Sequence, residues 1–288
     1  MKEEVRNSFI REFNLEPEVV IENGGRFEIL GNHTDHNHGE CLAATCDLRI
    51  VGAFSLRNDN KVELISEGVG QFEIDLSNLS KVSSERGKSQ ALVRGIAAKL
   101  KELGNKIGGF NAYLKSNIFP GAGVSSSAAF ELLIGKAINR LFNEDKIDLL
   151  TLAKVGQYAE NIYFGKKCGL LDQIGVAFGN ISYIDFKDVE NPIIENLTFK
   201  DDNYKFVIVN TGGSHAKLSH LYGEIFDDMF ATAHKMGKPV LREGSIEELD
   251  HLIISESERN RATHFYNENL RVEKARIAIK EYDGKRSI

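Results

Sequence analysis

The stretch SNIFPGAGVSSSAAFELLIGKAINRLF, Ser116 to Phe142, constrains the fold of this chain more than any other. Its second half repeats apolar side chains at helical spacing, with Phe130, Leu133, Ile134, Ala137 and Leu141 on one stripe. A run of β-forming residues at 110–116 precedes it. The segment therefore reads as strand, Gly-Ser loop, helix. In that position the loop acquires chemistry. Glycines let backbone N–H groups approach an anion closely, and the first helical turn adds unpaired donors and a positive dipole end. Gly121, Ala122, Gly123, Val124, Ser125, Ser126 and Ser127 form the candidate phosphate cradle. Serine hydroxyls offer further donors, an N-cap or a Mg²⁺ ligand. No Gly-Lys-Ser/Thr follows, so this is not a Walker A loop. Composition alone leaves a capped helix after a flexible turn equally open.

Around this unit, strands and helices follow one another irregularly. Residues 4–13 read as a helix with Val5, Phe9 and Phe13 on one stripe, and Gly24-Gly25 marks a turn before a strand at 26–30. Segments 48–56, 61–66 and 70–76 suggest a meander of strands, followed by a helix near 89–103. Helices are expected near 148–163 and 170–178, strands at 181–186 and 204–210, and helices at 221–236 and 258–281. Strands first and mixed order later give an α+β class, not a regular βαβ alternation. With 288 residues, 42% of them hydrophobic, the chain can bury one large core or two smaller ones. The polar stretch 187–203 is the expected boundary, separating 1–190 from 191–288.

A second chemical feature lies in GRFEILGNHTDHNHGE, Gly25 to Glu40, where three histidines, two asparagines and an aspartate follow a short apolar stretch. Such a cluster holds a metal or grips a small polar molecule. His33, His36, His38 and Cys41 are plausible ligands, but their spacing matches no standard zinc pattern. Sugar hydroxyls both donate and accept, so short mixed polar side chains suit them. The net charge of -6 argues against a nucleic-acid surface. No apolar run approaches the roughly 18 residues of a membrane span. The start, MKEEVRNSFIREFN, lacks the apolar centre of a signal peptide. Cys41, Cys46 and Cys168 form no CxxC and suit a reducing cytoplasm.

Three segments together carry a family resemblance. PGAGVSSSAAFE resembles the second motif of the GHMP kinases, small-molecule kinases that bind ATP through such a loop. GRFEILGNHTDHNHG resembles the galactokinase signature, and KKCGLLDQIG is similar to the segment that carries that family's catalytic aspartate. They occur in the family's order, and the likeness continues through VIVNTGGSHAKLSHLYGEI and HFYNENLRVEKARIAI. The resemblance implies a two-domain α+β fold of the GHMP kinase type. Its N-terminal domain would be ribosomal S5-like, its C-terminal domain α+β, with ATP and sugar meeting in the cleft between them. The implied reaction is transfer of a phosphoryl group from ATP, with Mg²⁺, to the anomeric hydroxyl of galactose or a closely related hexose.

The same resemblance implies residue roles. Arg26 would stabilise the transferring phosphoryl group and Asp172 would engage the anomeric hydroxyl. Ser127 and Glu160 would hold Mg²⁺. Asn32, His33, Thr34 and Asp35 would bind sugar hydroxyls, with Gly169 and Tyr222 as further sugar contacts. Three departures from the family pattern bear on this. Asn32 replaces the usual glutamate, which leaves the identity of the hexose open, and Ile225 stands where an arginine is expected. The family also continues past the position of Ile288 with a third Gly-rich motif, so an incomplete C-terminal domain is expected. Expected partners are a small sugar and ATP, with no nucleic acid and no membrane, and a monomer is favoured. A non-catalytic sugar- and ATP-binding sensor is the alternative, and turnover discriminates between the two.

Overall fold

In a computed structural model, which describes residues 1–119, 123–199, 203–209 and 219–282, the chain divides into two compact units. The first takes in Met1–Arg26, the chain from Cys46 to the Gly-Ser loop, and Val124–Phe178. The second takes in Phe27–Thr45 and the chain from Gly179 onward. Two long strands, β1 (Val19–Leu30) and β2 (Glu40–Leu56), pair with each other and contribute to both units.

The first unit begins with helix α1 (Lys2–Phe13), as its apolar stripe predicts. Val5 and Phe9 are fully buried against Val51 and Ala53 of β2 and Tyr113 of β5 (Phe110–Ser116). Strand β3 (Lys61–Ser66) pairs antiparallel with β4 (Gly70–Asp75), and parallel with β5 from Val62 opposite Phe110 to Ser66 opposite Leu114. Strand β5 then pairs antiparallel with β2 from Ile50 opposite Ser116 to Leu56 opposite Phe110. The expected meander is thereby corrected, because β5 lies between β2 and β3. The reason is burial: Phe110 to Leu114 are buried without alternation, which requires both faces of that strand to be covered. The parallel β3–β5 pairing is reached through β4 and helix α2 (Ser89–Glu102), since parallel neighbours need a long crossover.

Three further helices complete this unit. Helix α3 (Ser126–Asn143) buries Leu132, Leu133, Ile134 and Ile138, and α4 (Leu149–Tyr158) buries Leu152 and Val155. Helix α5 (Leu171–Phe178) buries Ile174 and Val176. The single helix expected over 148–163 is α-helical only as far as Tyr158. Ala159–Phe164 continue it as a π-helical turn, which ends where Gly165 takes φ 87°. Such turns are rare and often accompany functional sites.

In the second unit, Glu40–Ala44 of β2 pair with β6 (Ile181–Asp185), which pairs in turn with β7 (Ile193–Leu197). Strand β7 lies inside the polar stretch read as a boundary. Its Ile193 is exposed and only Leu197 is buried, so it lacks the alternating signal of a strand with one buried face. Helices α6 (Ser219–Lys235) and α7 (Glu256–Glu281) follow. Helix α7 opens on a capping box, with Ser255 and Glu258 satisfying each other's backbone donors. One core gathers Leu42, Ala44, Ile181, Tyr183 and Leu197 around Val272; another joins Met229, Ala233 and Leu241 to Ala262 and Phe265. The strand expected at 204–210 is not formed over 204–209. Val207 and Val209 are exposed and no described strand pairs with the segment, although Phe206 packs on Phe27 at 5.4 Å.

Candidate active site

In the first unit, β1 brings Arg26 beside the start of α5. The Arg26 Nε donates to Asp172 Oδ1 at 2.9 Å, and its Nη2 donates to the same oxygen. The close approach of this strand to the Gly-Ser loop depends on Gly25. A Cβ there would sit 2.7 Å from the Val124 carbonyl oxygen, the same oxygen that accepts the Arg26 N–H at 3.0 Å. Gly25 thus ties β1 to the Gly-Ser loop and aims Arg26 at Asp172. The loop ends with Gly123 at φ 69° and Ser125 at φ 56°, and Ser126 and Ser127 form the first turn of α3. Gly121 and Ala122 lie outside the described residues. Gly169 is partly buried three residues ahead of Asp172.

The π-helical turn carries Glu160, which is fully buried. Its Oε1 accepts from Ser127 Oγ at 3.0 Å and from Lys166 Nζ at 2.9 Å. Its Oε2 accepts from Cys168 Sγ at 3.1 Å and from Gln173 Nε2 at 3.0 Å. The second amide hydrogen of Gln173 goes to Glu131 Oε2 at 2.9 Å, so one amide bridges two carboxyl groups that are both out of solvent. Burial, and next the Glu160 charge, push the Glu131 carboxyl well above the usual range, so it holds its proton at neutral pH. The same two causes push the Cys168 thiol up, leaving it protonated as a donor. Burial would depress Lys166, but the Glu160 charge and hydrogen bond outweigh it and the ammonium persists. A cavity of roughly 860 Å³ in this unit, walled by Lys136, Arg140, Leu149 and Phe178, shares none of these side chains.

The structure therefore gathers Arg26, Asp172, Ser127 and Glu160 into one cluster. It adds Gln173, Glu131, Lys166 and Cys168, which sequence reasoning did not single out. All four were within sight, since Lys166, Cys168 and Gln173 fall inside the quoted KKCGLLDQIG and Glu131 closes PGAGVSSSAAFE. Ser127 and Glu160 present hard oxygens side by side, with a cationic ammonium already on Glu160. Those donors fit Mg²⁺, which is held by few carboxylates and hydroxyls together with phosphates.

The second unit carries the other signature. Asn32–Asp35 form a tight turn after β1 and lead into a single 3₁₀ turn, Asp35–Asn37. Asn32 is exposed, and its carbonyl accepts from His264 Nε2 at 2.8 Å. His33 takes φ 60°; burial, then the neighbouring His36, lowers its proton affinity. Thr34 is fully buried, with its hydroxyl 2.8 Å from the carbonyls of both Gly31 and Glu40, so it closes the turn. Asp35 is partly buried at the head of the 3₁₀ turn. Helix α7 underlies the loop. Glu268 accepts from the Gly31 N–H at 2.9 Å and Asn269 accepts from the Glu40 N–H at 2.6 Å. A Cβ at Gly39 would meet Thr34 Cβ at 2.4 Å and Phe265 Cε2 at 2.9 Å. His36 packs its ring on Phe226 and Phe230, and burial pushes it down to about 4. Among the described residues, no three His, Cys, Asp or Glu side chains converge as a metal site. The side chain of Tyr222 lies outside the described residues. No described helix is long and apolar enough to cross a membrane.

Comparison with known proteins places this geometry. The family of GHMP kinases, N terminal domain, matches residues 91–180, and the galactokinase galactose-binding signature matches residues 7–56. The fold and the strand–loop–helix site thus define a GHMP kinase. A galactokinase of Lactobacillus helveticus is 30% identical over 98% of this chain and 75% of its own length. One from Lactococcus lactis subsp. lactis is 34% identical over 88% of this chain and 66% of its own. The crystal structure of Lactococcus lactis galactokinase complexed with galactose superposes with a TM-score of 0.79 at 29% identity, over 96% of this chain and 74% of that one. Within the GHMP kinases, the chain belongs to the galactokinase family.

Proposed function

We propose that this chain carries the ATP- and sugar-handling parts of an enzyme that phosphorylates the anomeric hydroxyl of galactose or a closely related hexose. One observation supports this reading most: Arg26 clasps Asp172 beside the paired Ser127 and Glu160, all at the Gly-Ser loop. Asp172 takes the proton of the sugar hydroxyl as its oxygen forms the new bond to the γ-phosphorus. The bond from phosphorus to the β,γ-bridging oxygen breaks and ADP leaves. The Arg26 guanidinium meets the charge spread over the phosphoryl oxygens, and its hold on Asp172 keeps that carboxylate aimed. Residues 121–127 present backbone and hydroxyl donors to the phosphates. Ser127 and Glu160 are the residues that would hold Mg²⁺, which supplies neutralising charge when bound. Phosphoryl transfer depends mainly on such positioning and electrostatics.

In the sugar loop, Asn32 both donates and accepts where a glutamate would only accept, so it meets a hydroxyl differently. The test is ADP release from Mg-ATP across galactose, N-acetylgalactosamine, glucose and mevalonate, with wild type beside Asp172→Asn. Sugar-dependent release is expected, falling by about 10²–10⁴-fold in the variant while sugar affinity persists. Full activity of Asp172→Asn would remove Asp172 from the mechanism. Sugar binding without turnover in the wild type would favour a sensor.

A further inference from the structure

Glu160 is saturated. Its four acceptor positions are filled by Ser127, Lys166, Cys168 and Gln173. Of these donors only Lys166 is a cation, and it sits on Oε1, the oxygen shared with Ser127. The placement is built in. The Lys166 backbone N–H donates to the Glu160 carbonyl at 3.1 Å, while its ammonium donates to the Glu160 carboxylate at 2.9 Å. The side chain thus folds back on the residue that anchors its own backbone. It also reaches solvent. The Lys166 side chain is 57% exposed where that of Glu160 is 1% exposed.

Resting on the reading that Ser127 and Glu160 are the divalent-cation ligands, we propose that Lys166 is a tethered competitor for that cation. In the nucleotide-free protein the ammonium satisfies the buried carboxylate and holds bare metal off. The flexible, half-exposed stem lets it swing into solvent when a cation takes Oε1. Two positive charges cannot share that oxygen without strong repulsion, so occupation by one excludes the other. Cys168 and Gln173 stay on Oε2 throughout and keep the carboxylate aimed.

The experiment measures Mn²⁺ binding to the full chain without nucleotide, from the loss of the free-ion paramagnetic signal. The proteins are wild type, Lys166→Met, Lys166→Arg and Glu160→Gln, each first confirmed folded by circular dichroism. Lys166→Met is expected to bind Mn²⁺ about tenfold more tightly than wild type, Lys166→Arg as weakly as wild type, and Glu160→Gln not measurably. Equal affinity in Lys166→Met and wild type, with binding lost in Glu160→Gln, overturns the competitor role and leaves the ligand reading standing. Unchanged Mn²⁺ binding in Glu160→Gln overturns the ligand reading itself. Failure of Lys166→Met to bind Mn²⁺ at millimolar concentration overturns the proposal as well. So does weaker binding of Mn²⁺-ATP by Lys166→Met, which would make the lysine a phosphate contact.

Discussion

Replacing Gln173 by leucine removes one amide and leaves two buried carboxyl groups facing each other. Both amide hydrogens are in use, at 2.9 Å to Glu131 and 3.0 Å to Glu160, and Gln173 is fully buried. Leucine is of similar size, so the loss comes from hydrogen bonding and not from a cavity. A hydrogen bond to a charged group is worth about 1.5–3 kcal/mol, and Glu131 holds its proton, so the expected destabilisation near pH 8 is about 3 kcal/mol. The deficit depends on pH. Glu131 binds its proton more tightly folded than unfolded, because of burial and then the Glu160 charge. Its stabilising share is therefore present at low pH and lost as pH rises towards the raised value. The Gln173 hydrogen bond opposes that shift, so Gln173→Leu raises Glu131 further and makes stability fall more steeply with pH. Asp172 adds to the repulsion and Lys166 offsets part of it. Guanidinium denaturation of wild type and variant at about pH 7 and about pH 10, on either side of the raised Glu131 value, measures this, with the two units allowed separate transitions. A deficit below about 1 kcal/mol would refute the bridging role. A deficit equal at both pH values would refute the electrostatic part of the argument.

Gly39→Ala drives a methyl group into Thr34 and Phe265, so the second unit should lose about 2–3 kcal/mol and sugar affinity should fall with it. Wild-type stability with unchanged affinity would show that the loop tolerates displacement from α7. His36, held neutral by burial down to about 4, contributes stability that is complete above about pH 6.5 and lost as pH falls towards 4. The contribution is at most about 3 kcal/mol. His36→Phe should flatten the stability profile of the second unit over that window, read by denaturation at a series of pH values.

The legible parts of the sequence were those written in local periodicity or in contiguous residues. The stripes of α1 and α3 appear where they were expected, and Arg26 and Asp172 meet although 146 residues apart. What stayed hidden depends on partners distant along the chain. The insertion of β5 between β2 and β3 follows from burial on both faces, which periodicity alone cannot separate from other apolar runs. The segment 204–209 has a strand's composition but no described ladder, whereas β7 has a ladder and little of the composition. Lys166, Cys168 and Gln173 each look ordinary alone. Their importance comes from converging on Glu160, and a π-helical turn, which no residue pattern announced, sets that carboxylate in place.

The hold of α7 on the loop after β1 also has a bearing on synthesis. Gly31 waits for Glu268, 237 residues later, and Glu40 waits for Asn269, 229 residues later. At roughly 5–20 residues per second, the ribosome leaves the loop without its clasp for about 10–50 seconds. The described hydrogen-bond partners within the Arg26–Asp172 cluster all precede Phe178 in the chain. The loop is thus translated well before the helix that fixes it. During that interval its histidines and glycines are open to chaperones and proteases.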